Sequence, residues 1–141
     1  MKLLIDTNII LDLLLGREPF LEDARNLAIG VINKEFDGFL AANTITDLHY
    51  IMLKSLHDEQ RTRDALTNIL SIFPLIDTTA DDIKNALTNP MQDFEDAVLT
   101  ESARREGIKY ILTRNEKDFA SSPIPAYSPG LFLQLFDDQV L

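Results

Sequence analysis

Four short apolar runs, separated by longer stretches with helical spacing, constrain the fold of this chain more than any other feature. Each run is continuous, which is typical of a strand that is covered on both faces. Strands that alternate with helices predict an α/β protein with three α/β/α layers and a central parallel sheet of four to five strands. The predicted strands are KLLI (2–5), GFLA (38–41), PLID (74–77) and KYILT (109–113), with a weaker fifth at IPAY (124–127).

Helical patterns fill the gaps between these strands. Pro19 favours a helix start, TITD at 44–47 is similar to a capping box, and Gly107 marks a helix end. The length of 141 residues fits one domain spanning 1–141. The predicted helices cover 7–15, 19–34, 44–56, 60–72, 79–87, 93–106, 115–120 and 128–136.

The composition removes several classes of function. The chain has no cysteine, which excludes disulfides, thiol catalysis and zinc–thiolate sites and agrees with a cytoplasmic location. No apolar run is long enough to span a membrane, and the start lacks the cleavage pattern of a signal peptide. The net charge of −10 favours solubility and a basic protein partner. It also repels nucleic acid unless cations or a local basic patch intervene.

Acidic and amide side chains follow the predicted strands at the points where the strands end. In open parallel sheets, ligands bind beyond the carboxyl ends of the strands, and the intervening helices begin at that edge. Asp6 lies there among apolar neighbours, where an unpaired carboxylate is costly. Six side chains are therefore expected to converge in one crevice: Asp6, Asp47, Asp93, Asp96, Asn115 and Asp118.

Carboxylates that share a crevice repel one another, and a hard divalent cation relieves that repulsion. Mg²⁺ and Mn²⁺ prefer oxygen ligands, activate water and stabilise charge on a phosphate. Basic side chains nearby are candidates for phosphate contacts. Arg114 and Lys117 flank the acids, and Arg17 follows the first predicted helix.

Capping also explains some of these acids without any chemistry. Asp47 lies three residues after Thr44, and Asp96 lies three residues after Asp93, which is the spacing of helix caps. Both interpretations remain open from the sequence.

Two other acids are expected to have structural positions. Asp77 repeats the local sequence LIDT of Asp6, but the threonines and acids behind it offer ordinary capping. Asp12, inside the first predicted helix, is expected at a solvated or edge position.

Taken together, the motifs resemble the PIN-domain family, a metal-dependent ribonuclease fold that includes the VapC-type toxins of toxin–antitoxin pairs. The resemblance covers nearly the whole chain and rests on LLIDTNIILDLL (3–14), ANTITDLHYIM (42–52) and DFEDAVLTESARREGIKYILTRNEKDF (93–119). It implies hydrolysis of RNA phosphodiesters with Mg²⁺ or Mn²⁺, giving a 3′-hydroxyl and a 5′-phosphate. It also implies a homodimer and, for a toxin, an antitoxin segment bound over the active site.

The resemblance also assigns roles to residues. Asp6 and Asp96 match the principal metal ligands, while Asp93 and Asp118 match supporting acids. Asn8 matches an asparagine that orients Asp6. The catalytic set that it implies is Asp6, Asp47, Asp96 and Asp118.

Two positions depart from the family pattern. Asp47 stands where the family usually has Glu, and Asn115, in the TRN..DF motif, stands where many members have Asp. One metal ion is therefore expected rather than two.

Three further expectations concern partners and rival functions. The apolar stripes of helices 44–56 and 60–72 are candidates for the dimer surface. An inactive PIN-like binding module is the main alternative. A receiver-type phosphorylated domain, with Asp77 as the acceptor, is a weaker one, because Asp6 lacks an adjacent acid and no late lysine follows a suitable strand.

Overall fold

All strands of the sheet run parallel in the computed structural model, which describes residues 1–141, and their order is β3-β2-β1-β4-β5. The predicted three-layer α/β/α fold is confirmed, and the sheet has five strands. The outermost two, β3 and β5, are shorter than predicted, as is common for edge strands. The strands are β1 (Lys2–Ile5), β2 (Asp37–Ala41), β3 (Leu75–Ile76), β4 (Tyr110–Leu112) and β5 (Ala126–Tyr127).

Every predicted helix is present, with small shifts at its ends. The helix predicted from residue 19 begins at Leu21, and the short one predicted at 115–120 is a 3-10 turn at Glu116–Phe119. None of the helices combines the length and apolarity that crossing a bilayer requires. The helices are α1 (Thr7–Leu15), α2 (Leu21–Ile32), α3 (Ile45–Leu56), α4 (Glu59–Ile72), α5 (Ala80–Ala86), α6 (Phe94–Arg105) and α7 (Pro129–Asp137).

The two faces of the sheet bury separate apolar clusters because successive side chains of a strand point to opposite faces. Leu3 and Ile5 pack with residues of α1 to α4 and α7, whereas Leu4 packs with residues of α5 and α6. All three side chains are at most 2% exposed, so β1 is covered on both sides. This burial accounts for the continuous apolar run that predicted the strand.

The strand order creates a crevice beside β1. The chain passes from β1 to β2 and β3 on one side and then returns to β4 on the other side. Such a reversal is a topological switch point, and the crevice at the carboxyl ends of the two strands that flank it is where open α/β sheets bind ligands. The carboxyl ends of β1 and β4 lead into Asp6 and Thr113, so these residues lie at the crevice.

Candidate active site

Asp6 is held at the floor of this crevice by the strand beside it. Its backbone N–H donates to the carbonyl of Leu112 at 2.9 Å, which extends the ladder between β1 and β4. The Thr113 hydroxyl donates to Oδ2 of Asp6 at 2.8 Å and accepts from the backbone N–H of Asn115 at 3.0 Å. Thr113 is fully buried, so this carboxylate oxygen is fixed in place.

Thr113 takes the orienting role that was predicted for Asn8. Besides Thr113, only the Thr7 hydroxyl approaches the carboxylate of Asp6, at 3.5 Å from Oδ1, and Asn8 makes no hydrogen bond to it. The orienting role of Asn8 stays a prediction, without a hydrogen bond to support it. The only sequence signal for Thr113 was its place in the TRN motif, directly after β4.

The first turn of α6 brings two acids to the same place. Asp93 caps the helix, since its Oδ1 accepts from the backbone N–H of Asp96 at 2.9 Å. The capping interpretation is thus confirmed for Asp93, and the Asp96 carboxylate remains free. The pKa of Asp96 is raised to about 7, first by burial and then by the negative charges around it. Those charges belong to Asp93, Asp6, Asp118 and Glu95.

Asp118 and Lys117 approach from the 3-10 turn that follows β4. Both line a cavity of about 460 Å³ together with Asp93 and Asp96. Lys117 is the one cation in this lining. Asn115 is exposed beside the acids and joins Thr113 through its backbone N–H.

Asp47 reaches the site through a residue that the sequence analysis missed. The expected capping box at Thr44 does not form, because the Thr44 hydroxyl donates to the carbonyl of Ala41 at 2.7 Å and α3 begins at Ile45. The carboxyl group of Asp47 instead faces Glu95. Burial raises the pKa of Glu95, and the negative charge of Asp47 raises it further.

Arg114 is turned away from the acids, contrary to its predicted phosphate contact. Its Nη2 donates to Oδ1 of Asp12 at 3.2 Å, and its guanidinium lies 4.1 Å from the ring centre of Phe20. Nε is 2.8 Å from Oδ2 of Asp12, but its N–H is poorly aimed at that oxygen.

The expected exposed position of Asp12 was also wrong, because this residue is only 1% exposed. Burial raises the pKa of Asp12, while the charges of Arg114 and Arg17 oppose that rise. Arg17 therefore acts on Asp12 as well. Of the three predicted phosphate contacts, only Lys117 lies in the acidic cavity.

Asp77, the acid of the second LIDT, lies elsewhere. Its carbonyl accepts from Nη2 of Arg105 at 2.7 Å, in the last turn of α6, whereas Asp96 is in the first turn. The capping predicted behind it is present, since Thr79 and Asp82 form a capping box. Asp77 is therefore not part of the acidic cluster around Asp96.

The acidic side chains have the donor chemistry that a hard cation requires. Five carboxylates converge, and their repulsion adds to the burial that raises the pKa of Asp96. No three acidic or histidine side chains are arranged to hold a metal ion as they stand. Asp93 and Asp118 are exposed to solvent at this site. The residue types therefore fit Mg²⁺ or Mn²⁺.

Fold and site together define an α/β protein with an acidic crevice at the switch point of its sheet. The family model described as the PIN domain matches residues 2–117. The chain therefore belongs to the PIN-domain family. A comparison with curated protein sequences gives no match.

Solved structures with the same fold include several toxins. VapBC from Salmonella typhimurium, bound to DNA, has a TM-score of 0.68 at 18% identity, and the alignment covers 92% of this chain and 98% of the VapBC chain. A toxin–antitoxin complex from Klebsiella pneumoniae has a TM-score of 0.65 at 28% identity, with 89% and 96% covered. VapC20 of Mycobacterium tuberculosis, a toxin that cleaves the sarcin–ricin loop, has a TM-score of 0.62 at 16% identity, with 77% and 86% covered.

Proposed function

We propose that this protein is a metal-dependent endoribonuclease and the toxin of a toxin–antitoxin pair. Membership of the PIN-domain family and the toxins among its structural neighbours support the class. The observation that carries the proposal is the convergence of Asp6, Asp93, Asp96 and Asp118, where burial and then the surrounding negative charges raise the pKa of Asp96 to about 7. A carboxylate in that state gains most from a bound cation.

Asp6 and Asp96 are the principal ligands in this proposal, and Asp93, Asp118 and Asp47 complete or support the shell. The ion supplies Lewis acidity that activates water and stabilises charge on the phosphate. Thr113 fixes the direction of Asp6 toward the crevice. Lys117, on the rim of the cavity, offers a donor to a phosphate oxygen. The expected products are a 3′-hydroxyl and a 5′-phosphate.

The repeated LIDT provides a matched test. Asp6→Asn and Asp77→Asn change the same local sequence, but only Asp6 lies among the acids. With Mn²⁺ or Mg²⁺ present, we expect cleavage of unstructured RNA by wild type and by Asp77→Asn. Cleavage should fall at least about a hundredfold in Asp6→Asn and Asp96→Asn, as is usual when a catalytic group is lost. Full activity in either of these two variants contradicts the assignment.

An inactive binding module remains the second candidate, because no three acidic or histidine side chains are preset to hold an ion. Calorimetry with Mn²⁺ separates the two. The nuclease should bind Mn²⁺ with heat that Asp96→Asn abolishes, and a binding module should show none.

We also propose a homodimer in the cytoplasm with an antitoxin partner. Much of the predicted dimer stripe is buried inside the chain, including Leu66 and Ile69 of α4. Tyr50 and Ile51 of α3 stay 65% and 37% exposed and are the remaining candidates. Light scattering of wild type and Tyr50→Ser tests the dimer. A small protein that co-purifies from the native source and inhibits cleavage would identify the antitoxin.

A further inference from the structure

A second cavity continues the acidic one. It measures about 580 Å³ and lies between the end of α5, the outer face of α6 and the loop after the 3-10 turn. Pro90 and Ser121 line both cavities, so the two are direct neighbours. The cavity of about 580 Å³, which contains Glu101 and Arg104, is called the side groove below.

The side groove is built for a polar ligand. Amides, hydroxyls, one carboxylate and one guanidinium form its walls, and Ala120 is the only aliphatic side chain beside two prolines. Glu101 is its only acid, and it accepts from Asn89 Nδ2 at 2.9 Å and from Arg104 Nη1 at 3.4 Å. Its charge is thus balanced within the wall.

Arg104 retains donors for a ligand. Its side chain is 55% exposed, and only Nη1 contacts Glu101. A guanidinium has five N–H donors in a fork that suits phosphate. The chain as a whole has a net charge of −10 and repels a polyanion. The wall of the side groove instead has no net charge, and part of its guanidinium is open to a ligand.

We propose that the side groove binds the nucleotides on one side of the scissile phosphate, with Arg104 contacting a backbone phosphate. The substrate class is single-stranded RNA, because bases that are not paired can meet the amides and hydroxyls of the wall. This proposal rests on the proposed function and extends it.

The distances agree with a short strand. Arg104 follows Asp96 by eight positions in α6, which is about 12 Å along the helix axis. That length spans roughly three to four stacked nucleotides at about 3.4 Å each. A peptide is the rival occupant. Peptides that bind helix-lined grooves anchor through apolar side chains, for which this wall has no apolar pocket.

The test measures how RNA affinity depends on salt. Each phosphate contact on a single strand contributes about 0.7 to the slope of log affinity against log salt concentration. Arg104→Gln removes one such contact and should therefore make the negative slope shallower by about 0.7. Thr88→Lys adds a cation to the exposed wall of the side groove and leaves Glu101 and Arg104 unchanged. It should make the negative slope steeper by about 0.7.

The probe is a fluorescein-labelled single-stranded RNA of about twelve nucleotides, bound by variants that carry Asp96→Asn to prevent cleavage. Arg25→Gln and Asn26→Lys make the same charge changes on exposed positions of α2, on the opposite face of the sheet, and should leave the slope unchanged. In the cleaving protein, Arg104→Gln should raise KM about three- to tenfold and spare kcat.

The proposal is overturned if Arg104→Gln and Thr88→Lys both have the same salt slope as the parent protein. It is also overturned if the α2 controls change the slope as much as the side-groove variants do. If these slopes stay constant while Arg104→Gln loses its inhibition by the antitoxin, the side groove is a peptide site. Absent cleavage by wild type contradicts the proposed nuclease, whereas the binding slopes still decide on the side groove.

Discussion

The hydroxyl of Thr113 donates to Asp6 at 2.8 Å, and this bond joins the ends of the two strands that flank the crevice. It holds a carboxylate that would otherwise rotate freely among other negative charges. Partners that orient a metal ligand typically contribute about 10- to 100-fold to metal affinity or activity.

Thr113→Val should therefore lower RNA cleavage and Mn²⁺ affinity by about 10- to 100-fold, because valine keeps the shape and removes the donor. Cleavage assays and calorimetry measure the two effects, and Thr113→Ser should retain most of both. Thr100→Val is the matched control, since Thr100 is also fully buried and its hydroxyl contacts only the Met91 sulfur. Equal losses in the control would assign the effect to packing.

Asp96→Asn should stabilise the metal-free protein at pH 8 while it abolishes cleavage. The folded-state pKa of Asp96 is about 7, above the ordinary value near 4, so the folded protein loses stability as pH rises through this window. The gain in Asp96→Asn should be on the order of 1 to 2 kcal/mol, after a discount for solvent screening of this half-exposed group.

The gain should shrink to a few tenths of a kcal/mol at about pH 4, where Asp96 is protonated in the folded protein and only about half ionised in the unfolded chain. Urea denaturation at the two pH values measures it, with Asp77→Asn as the control outside the acidic cluster. A gain that is equal at pH 4 and pH 8 would contradict the charge repulsion.

Asp82→Asn should lower the free energy of unfolding, whereas Asp96→Asn should raise it. Burial alone would raise the pKa of Asp82, but hydrogen bonds from Arg105, the Thr79 backbone and Ser102 hold it at about 2. Its stabilising effect is therefore complete above pH 4 and is lost as pH falls toward 2. We expect Asp82→Asn to lower stability at pH 7 by about 1 kcal/mol. Asp81→Asn, in the same helical turn but exposed, should have little effect in the same urea titration.

Arg114→Gln should destabilise the protein by roughly 3 kcal/mol, because it leaves Asp12 buried without its charge partner. Asp12→Asn combined with Arg114→Gln should recover part of that loss. A double-mutant cycle in urea measures the coupling between the two residues. If Arg114 acted on RNA instead, the single variant would raise KM and leave the midpoint of unfolding unchanged.

The sequence predicted the strands, the helices and the family because each depends on local periodicity or on one continuous motif. It did not predict the pairing of Asp12 with Arg114, which lie 102 positions apart in the chain. The two LIDT segments show the same limit. Their letters are identical, but Asp6 follows the central strand and Asp77 follows an edge strand, and only the strand order separates them.

Glu95 was missed for a related reason. It occupies an ordinary first-turn position of α6, and its contact with Asp47 depends on helices from opposite faces of the sheet meeting at one edge. The prediction that Asp12 is exposed was wrong because the local helix pattern does not reveal that the distant Arg114 covers this residue.

Translation sets a delay on the assembly of this site. Asp6 and Thr113 are separated by 107 positions in the chain. The ribosome needs roughly 5 to 20 seconds for that length at about 5 to 20 residues per second. During that interval β1 lacks its neighbour β4, and Asp6 lacks both its hydroxyl partner and the Asp118 charge beside it. The order of the strands therefore leaves the acidic crevice incomplete until most of the chain has been made.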